Sequence, residues 1–274
     1  MNAHIATLPR GRATRFDAWI QRHPHWWTAA FAFAVLAVAF AALAFFDDRT
    51  FNGVSVWVKP FKFALSIAVY FGTLAWYAPL MPNGYFEARR GRRLIALPIV
   101  CAALEIAYIA IQADRVQASH FNQTSPFYAA MYALMGVGAF ALIGVCAWIG
   151  WVVLRERGTR DPYAFAVAIG LFMTVLLGGG FGTYMAEHLS HWVGGTPSDA
   201  GGWGFFKWSR DGGDLRVAHF FGMHAMQVVP VIGAAATRLT SRGRAIVIVV
   251  LAACAYAALT TFTFIQALQG RPFV

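Results

Sequence analysis

Seven apolar runs, at roughly 27–46, 58–81, 94–113, 127–153, 163–187, 217–237 and 245–268, alternate with polar or charged stretches along the chain. Each run reaches the ~20 residues that an α-helix, rising about 1.5 Å per residue, needs to cross a hydrocarbon core about 30 Å thick. Hydrocarbon offers backbone groups no partners, so a spanning segment must bond within itself. The pattern predicts an all-α fold, a polytopic membrane helix bundle of about seven transmembrane helices. Small residues mark the expected close approaches: Gly178 and Gly182 form a GxxxG pair, and Gly136, Gly144 and Gly150 punctuate the fourth run. Pro230 lies inside the sixth run, where it frees a carbonyl that a neighbour must satisfy.

Composition supports this reading. Hydrophobic residues make up 59% of the chain and charged residues only 12%, about half the share usual in soluble domains. The formal charge of +10 therefore matters by position. The N-terminal stretch and the loops 82–93, 154–162 and 238–244 hold fourteen of the twenty-two Lys+Arg residues, the alternate loops seven, and Lys62 sits within the second run. Positive charge stays on the cytoplasmic side, which predicts an N-terminus inside and a C-terminus outside. Residues 1–26 are expected to be a basic cytoplasmic tail and 27–274 one transmembrane domain, with the lipid bilayer as partner and no nucleic acid. The basic tail, the first run and Ala42-Leu43-Ala44 imitate a signal peptide. The length of the tail and the Trp26-Trp27 pair at the lipid interface favour an uncleaved helix. The three cysteines fall singly in apolar runs, without a CxxC pair.

Chemistry concentrates toward the predicted outer face. His4, His23 and His25 belong to the inner side, whereas His120, His188, His191, His219 and His224 fall at or near the outer ends of helices. These five are the candidate metal ligands. On the third helix, Glu105, Tyr108, Gln112, Arg115 and Ser119 follow a 3-4-3-4 spacing and share one face. Such a stripe is expected to line a polar cavity or proton path, or else to bond helix to helix. Lys62 is placed to meet Glu105 or an anionic ligand, and Lys59 reads as a lysine snorkelling at the boundary. A helix continued through His191 puts His188 and His191 about 60° apart, with Glu187 beside them. His219 and His224, five residues apart, point roughly 140° apart. Met223 and Met226, near His219, suit packing or a soft metal. The Gly-rich stretch 188–216 is expected to fold over the outer mouth as a lid.

Three functional readings follow. In the first, a His-rich site in the periplasmic leaflet binds haem b or a transition metal ion (Zn or Cu) for redox or electron-transfer chemistry. One of His188 or His191 would face His219 or His224, and Lys62, Gln112, Arg115, Arg216 and Gln227 are candidate cofactor-binding groups. In the second, a metal-dependent intramembrane hydrolase uses Glu105 or Glu187 as base on a lipid or small periplasmic substrate. In the third, His, Glu and Lys titrate in a proton-coupled transporter or sensor. A structural role, with the histidines satisfied between helices, stands beside these. A homo-oligomer or a redox partner is a candidate association.

Trp57-Val-Lys-Pro-Phe-Lys-Phe-Ala-Leu-Ser66 and Gly213-Asp-Leu-Arg-Val-Ala-His-Phe-Phe-Gly-Met-His-Ala-Met-Gln227 resemble strings in a group of uncharacterised bacterial multi-pass membrane proteins. The resemblance runs from the second to the sixth helix. It implies a multi-pass protein of the bacterial inner (cytoplasmic) membrane and carries no activity. A microbial rhodopsin needs a lysine in the seventh helix, and 245–268 has none. Intramembrane zinc hydrolases of the ceramidase and adiponectin-receptor kind use a late HxxxH pair, where this chain has His219-x4-His224.

Overall fold

The computed structural model describes residues 24–274; His4, His23 and most of the basic tail lie outside the described residues. Seven helices are long and apolar enough to cross a membrane: His25–Phe46, Val58–Leu80, Arg89–Asp114, Pro126–Arg160, Pro162–Glu187, Leu215–Leu239 and Arg242–Leu268. They coincide with the seven apolar runs and extend them into arginine-bearing flanks, as at Arg89–Arg93 and Arg155–Arg157. Arginine is a good helix former whose stem lies on apolar surface while its head stays wet. Two spans begin with proline behind a cap: Ser125 accepts the Tyr128 amide, and Asp161 accepts those of Tyr163 and Ala164.

The outward faces are apolar. Phe31, Val38, Leu104, Val137, Leu176 and Leu251 are exposed, a surface that hydrocarbon covers without cost and water does not. The second and fifth spans are the most enclosed, and Phe71, Leu74, Cys146, Ile149, Val167, Leu171 and Met226 fill the space between spans.

Where the fifth and sixth spans cross, glycine sets the distance. A Cβ on Gly222 would stand 2.5 Å from the Gly178 amide nitrogen, so backbone meets backbone there. Thr174–Gly179 forms a π-helical turn beside this crossing, and the Thr174 hydroxyl accepts the Met226 amide at 3.0 Å. Pro230 lacks the amide that would bond the Met226 carbonyl. The Tyr77 hydroxyl from the second span donates to that carbonyl instead, at 2.6 Å. Trp26, expected at the lipid interface, turns inward and is buried against Phe86.

Contacts sort the two ends of the bundle. At one end, Arg157 donates to the Pro79 carbonyl and Arg242 to that of Thr159. At the other end the loops build a cap. Strands β1 (Thr50–Phe51) and β2 (Val54–Ser55) pair antiparallel around Asn52 and Gly53, whose φ values of 52° and 79° are the left-handed pair that a tight hairpin turn needs. Strands β3 (Trp192–Val193) and β4 (Gly213–Asp214) close the long loop. The Asp199 amide donates to the Asn52 carbonyl at 2.9 Å, seating this loop on the first hairpin. Gly213 lies flush on the Ala267 backbone of the seventh span, with no room for a Cβ. Arg49 forks onto Asp47 and reaches Asp114, tying the first span to the third. Its hydrogen bonds, then that of Trp57, hold the Asp47 carboxyl well below the usual carboxylate range.

Candidate functional site

The site grows from the start of the sixth span. Asp214 is buried and caps that helix through the Arg216 amide at 3.0 Å. The same carboxylate accepts the Ser209 amide at 2.9 Å and two arms of the Arg216 guanidinium, from Nε at 2.9 Å and from Nη2 at 2.7 Å. Arg216 also donates to the Lys207 carbonyl at 2.8 Å. Its remaining arm forms an ion pair with Asp199 at 2.8 Å. One guanidinium therefore locks three points of the long loop over the bundle. The loop expected over residues 188–216 ends at Asp214, and Leu215 and Arg216 already belong to the helix.

Beneath this clasp lie the groups whose charges act on one another. Lys59 is within electrostatic reach of Lys62, Arg216, Asp199 and Glu105. Lys62 is within reach of Arg216, Asp199, Asp214 and Lys207. The Lys62 ammonium donates to the Phe206 carbonyl at 3.2 Å, and the Lys59 ammonium stands 5.9 Å from the Phe63 ring centroid. Among the described residues neither lysine forms an ion pair with a carboxylate. Lys59 keeps its place at the start of the second span and is half-buried there. A cavity of about 30 Å³ opens beside it, walled by Ser119, Gln117 and the first hairpin.

The five candidate histidines separate. His191 is partly buried, with its Nδ1 enclosed and 3.7 Å from Asp214, beyond hydrogen-bond range. Burial first, then Arg216, Lys59 and Lys62, push its pKa down to about 2, so it is neutral. His120 hydrogen-bonds Ser119 at 3.1 Å and packs on Phe63 and Tyr132. Burial, Lys59 and His219 hold it well below the usual imidazole value. His219 donates from Nδ1 to the Gly178 carbonyl at 2.9 Å, and its ring occupies the space a Cβ on Gly182 would take. His224 donates from Nδ1 to the Phe220 carbonyl at 2.8 Å. His188 is exposed, because the helix ends at Glu187 and Leu189 turns left-handed at φ 53°. The helical angle expected between His188 and His191 therefore does not apply.

The remaining candidates divide in the same way. Glu105 lies within reach of Lys59. Gln112 is buried and donates to the Ala118 carbonyl, holding the turn that follows the third span. Gln227 donates to Thr73 on the second span at 3.0 Å. Arg115 and Glu187 are exposed. Arg115 caps the third helix, still bonded through its amide to the Ile111 carbonyl, whereas Ser119 lies beyond the helix in a returning loop that buries it. Asp199 and Asp214, charged loop residues without a helical register to place them, and Lys59 at the start of the second span complete the site.

A b-type haem needs two imidazoles facing each other across the macrocycle; His219 packs its ring on the fifth span at Gly182. Among the described residues no three His, Cys, Asp or Glu side chains group as a metal ion requires. Comparison with protein-family models, with curated proteins and with solved structures gives no match.

Proposed function

We propose that the chamber beneath the cap binds a small anion together with a proton, in a multi-pass protein that carries or senses that anion. One observation carries this: cations outnumber carboxylates under the cap. Lys59, Lys62, Lys207 and Arg216 lie within reach of Asp199, Asp214 and Glu105, four against three, and Arg216 already engages both aspartates. The neutral imidazoles of His120 and His191 add no charge. A proton on Glu105 removes the counter-charge of Lys59 and leaves the lysines to an anion. Half-buried around the buried Asp214, these charges act on each other with less screening than at an open surface. The arginine-rich loops support an orientation with the N-terminus in the cytoplasm and the cap on the periplasmic face, in the bacterial inner membrane that the resemblance implies.

The test is anion binding at two pH values. Tryptophan emission from Trp192, Trp203 and Trp208 in the cap is titrated with acetate, phosphate and sulfate at pH 5.5 and 8. Tighter binding at the lower pH is expected. Glu105→Gln should remove the pH dependence, and Lys59→Gln with Lys62→Gln should remove binding. Equal affinities in wild type and the lysine double variant, or binding of none of the three anions, would overturn the reading.

A metal or haem redox site is the second reading, favoured by one feature. His219 and His224 each donate Nδ1–H to a carbonyl, which leaves Nε2 as the lone-pair nitrogen, the tautomer that metal-binding histidines adopt. A visible spectrum and metal analysis of the same preparation decide it. A Soret band or stoichiometric metal lost in His219→Ala would favour this reading over the first.

A further inference from the structure

From the end of the bundle remote from the cap, a groove of about 730 Å³ runs between the first and third spans as far as Phe40 and Ala110. Its walls are apolar: Ala29, Phe33, Leu36 and Phe40 on one side, Ile99, Ala103, Ile106 and Ala107 on the other. From His25 to Phe40 it runs fifteen helical rises, about 22 Å, which exceeds the ~15 Å depth of one hydrocarbon leaflet. Ala103 and Ala107 are exposed along its floor. In a bilayer such a trough is filled by hydrocarbon, and its mouth is polar, with His25 and Thr28 on the rim.

The third span continues past that mouth into arginines. Stepping back from Ala103 by 4, 3, 4 and 3 residues gives Ile99, Ala96, Arg92 and Arg89, all on the groove face of the helix. Arg89 and Arg92 are exposed, and no described carboxylate forms an ion pair with them. Arg92 spends one donor on the Glu87 carbonyl and keeps the rest of its fork. Trp26 packed on Phe86, three residues before Arg89, fixes the inner ends of the two spans together.

We infer that this groove is a specific site for one anionic phospholipid of the surrounding bilayer, an acyl chain lying between the first and third spans and the phosphate meeting Arg89 and Arg92. Charge and shape recognise the lipid jointly. The arginines select an anionic headgroup by forked hydrogen bonds, and the alanine floor admits one chain.

The full-length protein, purified in detergent and stripped of lipid, is compared in native mass spectra and thermal unfolding with added phosphatidylglycerol or phosphatidylcholine of identical chains. One retained phosphatidylglycerol per protein and a larger rise in Tm than with phosphatidylcholine are expected. Two arginines near a membrane surface are each worth about a factor of five, so Arg89→Gln with Arg92→Gln should weaken retention about thirtyfold. Ala103→Phe with Ala107→Phe fills the trough from exposed positions and should abolish retention while leaving the lipid-free Tm unchanged. Equal effects of the two lipids, unaltered retention in the filled groove, or a dimer cross-linked through Ala103 would each overturn the inference.

Discussion

Replacing Asp214 separates the two jobs its carboxylate performs. Asp214→Asn keeps an oxygen for the Arg216 amide but removes the charge facing the guanidinium. Breaking one partner out of a buried ion pair costs roughly 3–5 kcal/mol. Because Asp199 still faces Arg216 at 2.8 Å, the lower end applies, about 3 kcal/mol. Asp214→Ala also removes the helix cap, a further loss of about 1 kcal/mol. The expected order is wild type, then Asn, then Ala, with the second step smaller than the first. Unfolding followed by tryptophan emission measures it, since Trp192 and Trp208 sit in the loop that Asp214 anchors. Tryptic cleavage at Lys207 and Arg210 should accelerate in the same order. If Asp214→Asn loses under 1 kcal/mol and the loop stays protected, the guanidinium does not hold the cap and the account of the clasp is wrong.

Tyr77→Phe leaves the Met226 carbonyl, already deprived of an amide by Pro230, without a donor; a loss of about 1–3 kcal/mol is expected, and an unchanged unfolding midpoint would refute that pairing. Gly182→Val drives a side chain into the His219 ring, 2.9 Å from the Cβ position, and overpacking of this kind costs about 1–3 kcal/mol; Gly180→Val, which meets nothing within 4 Å, is the control and should be milder. His191 contributes a pH dependence. Its pKa is depressed from 6.5 to about 2, so between those values the unfolded chain binds more protons. Its contribution is complete above pH 6.5 and is lost as pH falls, at up to about 1.4 kcal/mol per pH unit. Thermal midpoints measured from pH 7.5 to 5 should fall more steeply in wild type than in His191→Gln, and parallel slopes would refute the assignment.

The spans were legible in the sequence because their signal is redundant. Some twenty apolar residues in a row outvote any local irregularity, and the GxxxG glycines and Pro230 announced their contacts by steric necessity. The cap was harder to read. Its strands are two residues long, too short for an alternating pattern to show. Helical phase angles failed where the helix had already ended: His191 and Ser119 lie beyond left-handed Leu189 and Val116, so the register that grouped them with His188 and Arg115 no longer held. Lys59 was read as snorkelling because a lysine at the start of a span does so unless something covers it, and its surroundings include the turn at 116–119, far away in sequence. Within the candidate site, Glu105, Lys62, Arg216, His120 and His191 converge, and the carboxylates that organise them emerge only from loop geometry.

Gly213 resting on the backbone of Ala267 also sets an order of events during synthesis. The floor against which β4 lies is made more than fifty residues later than β4 itself. A nascent chain with only six spans made has its long loop unsupported on that side. Sealing of the chamber therefore waits on arrival of the seventh helix, and a ribosome stalled before Ala267 should display a protein already threaded through the bilayer yet open to protease at Lys207.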